Sequence, residues 1–478
     1  MYVSRNIVIL FMVNRYVCYA LLFIRGILIA KFLGPYLYGV WSFLTLVQQY
    51  LSSTSLGLHF AVNVELSTGV KLDSLDRKHI ISTSLTLNML ISLVVCVLAF
   101  ALSFSDIKLL SNYPGYEYLV PVTIIAGLTN IQQLLVNIYR SYEMLNKIVF
   151  SELFLAVLTL FVVFLFEDRS LIFASLVAMI LATSMNLAVF LINPPFPMNV
   201  SIDVGIAKRL LIIGIPLLVY NFSFILITMI GRTIVGLYYS IEEMGIYSFA
   251  NVISGTAMLA VESVAWILFP AILSKIHQGV DNEIATMSLN KVRDFFGTSV
   301  FVTVFIIILF LPILFHFVPS YRPAQGILNI LLLSQAVLSI SFGYNCLAIA
   351  RKKQNIISIF SLVTVIAISC MCLLVASFGL SIKFIAVSIL IGTLFFVILQ
   401  GYLGHYLLHG VWRANIKTIF PLSNLVAILL FLFGELFSYS VLLHLIGLTV
   451  FIAGNVKQLR DLYQFCLVKC FPSKGVLA

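Results

Sequence analysis

Charge is what this sequence lacks most. Charged residues fill 10% of its 478 positions, whereas soluble domains carry about 25%. Hydrophobic residues make up 62%, and the mean hydropathy is +1.12. Apolar runs of about 20 residues, the length that crosses a bilayer, recur along the whole chain. The composition excludes a soluble globular protein and predicts an all-α integral membrane protein.

The motifs of several catalytic and metal-binding classes are also missing. The seven cysteines are an odd number, and none of them has metal-ligand spacing. There is no GxxxxGK phosphate loop, which argues against a built-in ATPase. No long polar domain interrupts the chain, and no cluster of acids offers general acid–base chemistry. We therefore expect a protein that is not an enzyme and that uses no metal, disulfide or cofactor.

The hydropathy pattern predicts about fourteen transmembrane helices. Their approximate ranges are 8–31, 38–62, 80–103, 117–139, 147–166, 171–192, 209–236, 245–270, 295–318, 324–349, 355–377, 383–408, 418–436 and 439–455. The first range is interpreted as a retained span. Its apolar run is too long for a signal sequence, and no small-residue cleavage site precedes a soluble domain.

The basic residues predict the orientation of these spans. Of the 28 lysines and arginines, twenty fall in the termini or in loops after even-numbered spans, five in loops after odd-numbered spans, and three within spans. The side richer in lysine and arginine is the cytoplasmic one. Both termini are therefore expected in the cytoplasm. The net charge of +10 is explained by this topology, and no nucleic-acid partner is expected.

A hairpin at Val13–Phe43 has a degenerate copy at Tyr220–Phe249. Asn14 matches Asn221 and Arg25 matches Arg232. After one deleted residue, GVWSF at Gly39–Phe43 matches GIYSF at Gly245–Phe249. Six spans separate the copies, so both begin on the same side of the membrane. Such parallel repeats are related by an axis along the membrane normal, with the substrate path between them. We expect two pseudo-symmetric six-helix bundles around a central cavity, plus a C-terminal helix pair.

This arrangement predicts the domain boundaries. They are an N-terminal six-helix bundle at 1–193, a cytoplasmic linker at 194–208, a C-terminal six-helix bundle at 209–408, an additional helix pair at 409–455 and a cytoplasmic tail at 456–478.

Three arginines, Arg15, Arg25 and Arg232, lie within the predicted spans. A charge at mid-membrane costs roughly 2.5–3.5 kcal/mol, so it usually faces a cavity or a partner. Arginine stays charged and offers a planar fork of donors that suits phosphate. We predict that Arg25 and Arg232 face each other in the outer half of one cavity, with Arg15 below them. The alternative is that these long side chains extend to the membrane interfaces.

Glu262 is the deepest acid, in the cytoplasmic half of the eighth span and at a depth similar to that of Arg15. We predict that Glu262 and Arg15 close an inner gate, or that Glu262 binds a proton or cation. The alternative is a hydrogen bond to a hydroxyl or amide inside one bundle. Glu65 and Glu152 lie near the interfaces and are expected to be structural.

Several polar residues in spans are candidates for the substrate path. They are Asn14, Asn221, Gln48 and Gln49, with Asn130 and Asn345 in further polar spans. Their amides suit sugar hydroxyls, although interhelical hydrogen bonds, worth about 0.6 kcal/mol each, explain them equally well. Pro216 predicts a kink in the seventh span, since proline removes a backbone hydrogen bond. It is the candidate hinge.

Short motifs resemble those of bacterial polysaccharide and O-antigen flippases. The string AKFLGPYLYG at Ala30–Gly39 resembles their A-x-x-L-G-P-x-x-Y-G turn, and SLGLHFA at Ser55–Ala61 resembles the L-G-L-x-x-A continuation. The second half fits at Gly214–Pro216, Gly245–Ser248 and Pro319–Ala324. The resemblance extends to about residue 408. The family usually has an acid before the arginine of the seventh span, where this chain has Gly231.

The resemblance places the chain in the multidrug/oligosaccharidyl-lipid/polysaccharide (MOP) flippase superfamily. It implies a flippase that carries an oligosaccharide repeat unit on a polyprenyl diphosphate, for O-antigen, capsule or exopolysaccharide, to the periplasmic leaflet of the inner membrane. Transport would occur by alternating access. Membrane lipid and other membrane proteins of polysaccharide assembly are the further expected partners.

Two other functions remain open. One is a cation-coupled small-molecule or multidrug antiporter of the same superfamily, with Glu262 as its coupling acid. The other is an integral-membrane polysaccharide polymerase or glycosyltransferase. The three arginines and the polar spans favour an anionic, sugar-rich ligand, and the sequence has no large extracellular loop of the kind expected for a polymerase.

Overall fold

A computed structural model describes residues 5–67, 74–103, 114–142, 144–196, 199–255, 281–351, 353–412, 419–437 and 440–461. Within these ranges the regular structure is entirely helical. The helices are α1 Arg5–Leu51, α2 Leu58–Ser67, α3 Ser74–Ser103, α4 Leu119–Ser141, α5 Leu145–Val162, α6 Asp168–Leu191, α7 Val204–Tyr238, α8 241–255, α9 Asn282–Phe317, α10 Gln325–Ala350, α11 Gln354–Ser377, α12 Ile382–His409, α13 Leu422–Leu436 and α14 Ser440–Gly454.

Ten helical segments of the described chain are long and apolar enough to cross a membrane. Three shorter apolar helices accompany them, at Ile225–Tyr238, Leu422–Leu436 and Leu442–Gly454. The first of the ten, Val13–Ser52, covers most of the first predicted span and most of the second. The predicted all-α, multi-span membrane fold is thus confirmed. The predicted eighth span ends outside the described residues.

Helix α1 is interrupted at the predicted Gly34-Pro35 turn. Gly34 has φ 64° and ψ 173°, and the chain is helical on both sides of it. Only glycine adopts this conformation without a steric penalty, because it has no Cβ. Pro35 then begins the following helix, where its missing N–H leaves no intrahelical bond unmade. A single residue therefore makes the break, and the longer turn before Gly39 that the sequence indicated is helical.

The chain separates into two compact units. The first comprises Met1–Ile225 with Val235–Ser248, and the second comprises Leu226–Ile234 with Phe249–Ala478. Most of α7 and the start of α8 therefore belong to the same unit as the first hairpin. The domain boundaries expected from the sequence stay predictions.

The core of the first unit lies between α2, α3, α4 and α6. Tyr139 on α4 is fully buried, and its hydroxyl donates a hydrogen bond to the carbonyl of Phe190 on α6. The rings of Phe190 and Phe196 lie 4.9 and 5.7 Å from the Tyr139 ring. Asn88 on α3 donates to the carbonyl of Asn130 on α4 at 3.0 Å. The side-chain amide of Asn130 donates to the carbonyl of Leu51, at the end of α1, at 3.4 Å. This is the interhelical hydrogen bonding that was its alternative role.

Helix α10 is the central helix of the second unit. It packs against α9 and α12, and buried residues occupy all its faces. Gln400 on α12 donates to Asn345 on α10 at 2.8 Å, which joins these two helices by side-chain amides. In the C-terminal pair, Asn455 follows α14 and donates to Asn424 on α13 at 2.7 Å.

Candidate substrate path

Arg25 is a candidate anion-binding residue inside the first membrane span of α1. It lies on α1, nine residues before the break at Gly34, or about 13 Å along the helix axis. Its side chain is partly buried, and its Nε atom is buried without a hydrogen-bond acceptor among the described residues. A buried donor without an acceptor is costly. An anionic ligand at this position would therefore be stabilised.

Arg15 has a carboxylate partner within its own unit. Its Nε lies 3.9 Å from Oε2 of Glu152 on α5, and the two side chains are 28% and 30% exposed. Its guanidinium carbon also lies 5.6 Å from the centre of the Tyr19 ring, within reach of a cation–π interaction. The sequence analysis expected Glu152 to be structural and paired Arg15 with Glu262. Glu262 lies outside the described residues, so the inner gate stays a prediction.

The two matched asparagines both contact protein groups. Asn14 is buried, and its amide donates to the carbonyl of Val149 on α5 at 3.2 Å. Asn221 is partly buried and donates to the carbonyl of Leu217, one turn earlier on α7, at 2.8 Å. Asn14 therefore helps to dock α1 on α5. A role of either amide in substrate binding stays a prediction.

The other candidate residues lie on α1 and α7. Gln48 is partly buried and Gln49 exposed, one turn before the end of α1. Arg232 is 4% exposed on α7, in the segment that belongs to the second unit. Because Arg25 and Arg232 belong to different units, their facing each other stays a prediction. The chain is helical through Pro216, which is exposed and lines an apolar groove of about 520 Å³ along α7 with Lys208.

A buried polar cluster in the second unit was not predicted from the sequence. Glu435, at the end of α13, is contacted by three side chains from three other helices. They are Asn329 on α10, whose amide donates at 2.6 Å, Lys383 on α12 at 3.8 Å and His444 on α14 at 3.3 Å. Lys383 also donates to the Glu435 carbonyl. Little in the sequence indicates this cluster, because its residues are as much as 106 positions apart.

The described part of the chain has charged and hydrogen-bonding side chains that can bind a ligand. No group of three or more His, Cys, Asp and Glu side chains that could hold a metal ion occurs in it. The buried arginines can bind an anion by charge and by directed donors. A role of these arginines in a substrate path stays a prediction.

Comparison with solved structures shows the fold. An inward-facing multidrug resistance MATE family transporter of the MOP superfamily matches with a TM-score of 0.68 and 14% identity, over 84% of this chain and 98% of that one. The lipid II flippase MurJ, in an inward closed conformation, matches with a TM-score of 0.66 and 15% identity, over 95% and 100%. A MOP superfamily transporter from Pyrococcus furiosus matches with a TM-score of 0.52 and 14% identity, over 85% and 96%.

Comparison by sequence shows the family. No curated protein sequence matches the chain. The sequence model of the family described as "Polysaccharide biosynthesis protein" matches residues 28–308, which is more than half of the chain. The match includes the second copy of the hairpin and the last part of the first. The resemblance inferred from the motifs is thereby confirmed. The chain is a multi-pass membrane protein with the fold of MOP superfamily transporters, and it belongs to the polysaccharide biosynthesis protein family.

Proposed function

We propose that this protein translocates polyprenyl-diphosphate-linked oligosaccharide repeat units from the cytoplasmic to the periplasmic leaflet of the bacterial inner membrane. The observation that carries the proposal is Arg25, a guanidinium inside a membrane span whose buried Nε has no acceptor in the described residues. The family description supports polysaccharide as the substrate class. The likeness to a lipid II flippase supports a lipid-linked form of it.

The chemistry of such a substrate fits the candidate residues. Its diphosphate is anionic and presents pairs of oxygens, which the guanidinium fork binds by two parallel hydrogen bonds. Arg15 and Arg232 would provide further positively charged binding sites along the path. The amides of Asn14, Asn221, Gln48 and Gln49 would bind sugar hydroxyls. The polyprenyl tail would stay in the lipid while the head group passes.

Transport would follow alternating access, in which one six-helix bundle rocks against the other around the binding site. Glu262 and Arg15 are the proposed inner gate, and Pro216 is the proposed hinge. The distribution of lysine and arginine supports an orientation with both termini in the cytoplasm. Membrane lipid and other proteins of polysaccharide assembly would be its neighbours.

The test is to delete the gene and to measure lipid-linked repeat units on each face of the inner membrane. We expect accumulation on the cytoplasmic face. Expression of the wild-type protein should remove this accumulation, and expression of Arg25→Lys should reduce it in part. Arg25→Gln should lower the flipping rate roughly tenfold or more, as expected for a lost hydrogen bond to a charged group. The exposed Arg169→Gln variant, which changes charge by the same amount, should behave as wild type.

Other outcomes would identify the alternatives. Unpolymerised units on the periplasmic face would indicate a polymerase. Unchanged repeat units together with a new drug sensitivity would indicate a multidrug antiporter. Either result contradicts the proposal.

A further inference from the structure

Two glycines from the two copies of the hairpin make a reciprocal contact inside the first unit. A Cβ on Gly39 would overlap the carbonyl oxygen of Ile241 and lie 2.9 Å from its carbonyl carbon. A Cβ on Gly245 would overlap the carbonyl oxygen of Pro35 in the same way, 2.9 Å from its carbonyl carbon and 3.0 Å from the nitrogen of Gly39. All four residues belong to the first unit. We call this contact the glycine seam.

The glycine seam follows the internal repeat of the sequence. Gly245 lies 206 positions after Gly39, and Ile241 lies 206 positions after Pro35. Each copy thus offers the same two elements, a first-turn carbonyl and a glycine one turn later, and each carbonyl packs on the glycine of the other copy. The surface is self-complementary, as in a two-fold interface between identical subunits.

Both helices in the glycine seam begin at it. The second half of α1 starts at Pro35, directly after the break at Gly34. Helix α8 starts at 241, and a capping box fixes this end: the Ser240 N–H donates to Glu243 at 3.0 Å, and the Glu243 N–H donates to the Ser240 hydroxyl at 3.2 Å. The seam therefore joins two well-defined helix starts, which the proposed topology puts at the periplasmic face.

The contact is made mostly by backbone atoms, with one side-chain atom, Cγ2 of Ile241, 2.9 Å from the position of a Cβ on Gly39. Such close approach allows Cα–H···O contacts between helices, and in membranes small residues provide it. A contact of this kind can part and reform without rotamer changes or the burial of a charge. Gly34, where an added Cβ would meet nothing within 4 Å, has room to change conformation beside it.

A second close contact of glycines lies elsewhere in the same unit. A Cβ on Gly57 would overlap the carbonyl oxygen of Gly214, and a Cβ on Gly214 would lie 2.9 Å from the Leu56 carbonyl oxygen. Gly57 has φ +74° and follows α1 in a turn, whereas Gly214 lies within α7, so the two are not equivalent positions of the repeats. Only the glycine seam is built from equivalent positions of the two repeats among these glycine contacts.

We propose that the glycine seam is a latch that closes the periplasmic end of the transport path and parts once in each transport cycle. This inference rests on the proposed function, which supplies the transport path and the orientation that puts the seam at the periplasmic face. A side chain at either glycine would hold the seam open and shift the protein towards a state that is accessible from the periplasm.

The test measures accessibility and needs no substrate. Ser42 is 2% exposed, one turn deeper than Gly39 on the same side of α1. In a Ser42→Cys protein, a membrane-impermeant maleimide is added to intact cells from outside, and labelling at that position is read by peptide mass spectrometry. Gly39→Ala and Gly245→Ala should each speed labelling roughly tenfold, the order of effect expected when a tight contact is overpacked.

Gly236→Ala is the matched control, because its Cβ would lie at an ordinary 3.5 Å from Met244. Gly236→Ala should be labelled at the rate of the parent Ser42→Cys protein. The melting temperatures of all variants should lie within a few degrees of that of the parent. Labelling of both seam variants at the control rate would overturn the latch. So would loss of folded protein in both, since the seam would then be a permanent joint. The labelling result does not depend on flipping, which is measured separately in the repeat-unit assay. A failure of the proposed function is therefore distinguishable from a failure of the latch.

Discussion

At the scale of single residues, Arg15 has two possible roles: it binds substrate, or it only forms a structural ion pair with Glu152. Variants of the two residues distinguish these roles. Glu152 and Arg15 form a loose pair at 3.9 Å, with both side chains more than a quarter exposed. Such partly exposed pairs contribute about 1 kcal/mol or less to stability. We therefore expect neither Arg15→Gln nor Glu152→Gln to lower the melting temperature by more than a few degrees.

The same two variants should differ in function. If Arg15 binds the diphosphate, Arg15→Gln impairs flipping in the repeat-unit assay, whereas Glu152→Gln retains it, because the arginine keeps its charge. Equal loss of flipping in both variants would show that the pair itself matters, and Arg15 would then have no separate role in the substrate path.

Gly34 tests a purely conformational requirement. Its φ of 64° and ψ of 173° lie in a region that is almost restricted to glycine, and an added Cβ would meet nothing within 4 Å. We expect Gly34→Ala to destabilise the protein by roughly 1–3 kcal/mol through backbone strain alone. Thermal unfolding in detergent measures this cost, with Gly236→Ala as the unstrained control. A melting temperature equal to that of the control would mean that the break relaxes to another conformation.

At the scale of helices, the sequence predicted the spans and the break better than the contacts between them. Long apolar runs report on lipid directly, and the Gly34-Pro35 pair carries its own conformational restriction. The glycine seam was not predicted, because a glycine does not indicate which backbone approaches it. Glu435 was not singled out either, since its partners Lys383 and His444 come from other helices and only packing brings them together.

The Glu435 cluster predicts how the C-terminal pair is held. The carboxylate joins α13 to α10, α12 and α14. Removing one partner of a buried ion pair leaves the other uncompensated, which costs about 3–5 kcal/mol when burial is complete. Lys383 is 29% exposed, so we expect Glu435→Gln to cost less than this range and to lower the melting temperature clearly. Glu283→Gln, an exposed acid at the start of α9, is the control and should change little.

At the scale of the whole molecule, the distribution of basic residues predicts the topology that every functional proposal uses. Twenty of the 28 lysines and arginines lie on one side of the predicted spans and five on the other. Reporter fusions to loops on each side of the membrane test this topology. Fluorescent protein fused after Lys71 should fluoresce, because that loop is expected in the cytoplasm, whereas alkaline phosphatase fused after Lys108 should be active, because it is expected in the periplasm.

The topology also decides whether the glycine seam and Arg25 lie in the order that transport requires. Helix α1 runs from the N-terminus towards Gly34, so a cytoplasmic N-terminus puts Arg15 nearest the inner face, Arg25 above it and the seam at the periplasmic end. The reverse reporter pattern would invert this order and put the seam at the cytoplasmic face. The latch would then close against entry of the substrate, and maleimide added from outside would not reach Ser42→Cys through it. The fusions and the labelling experiment must therefore agree.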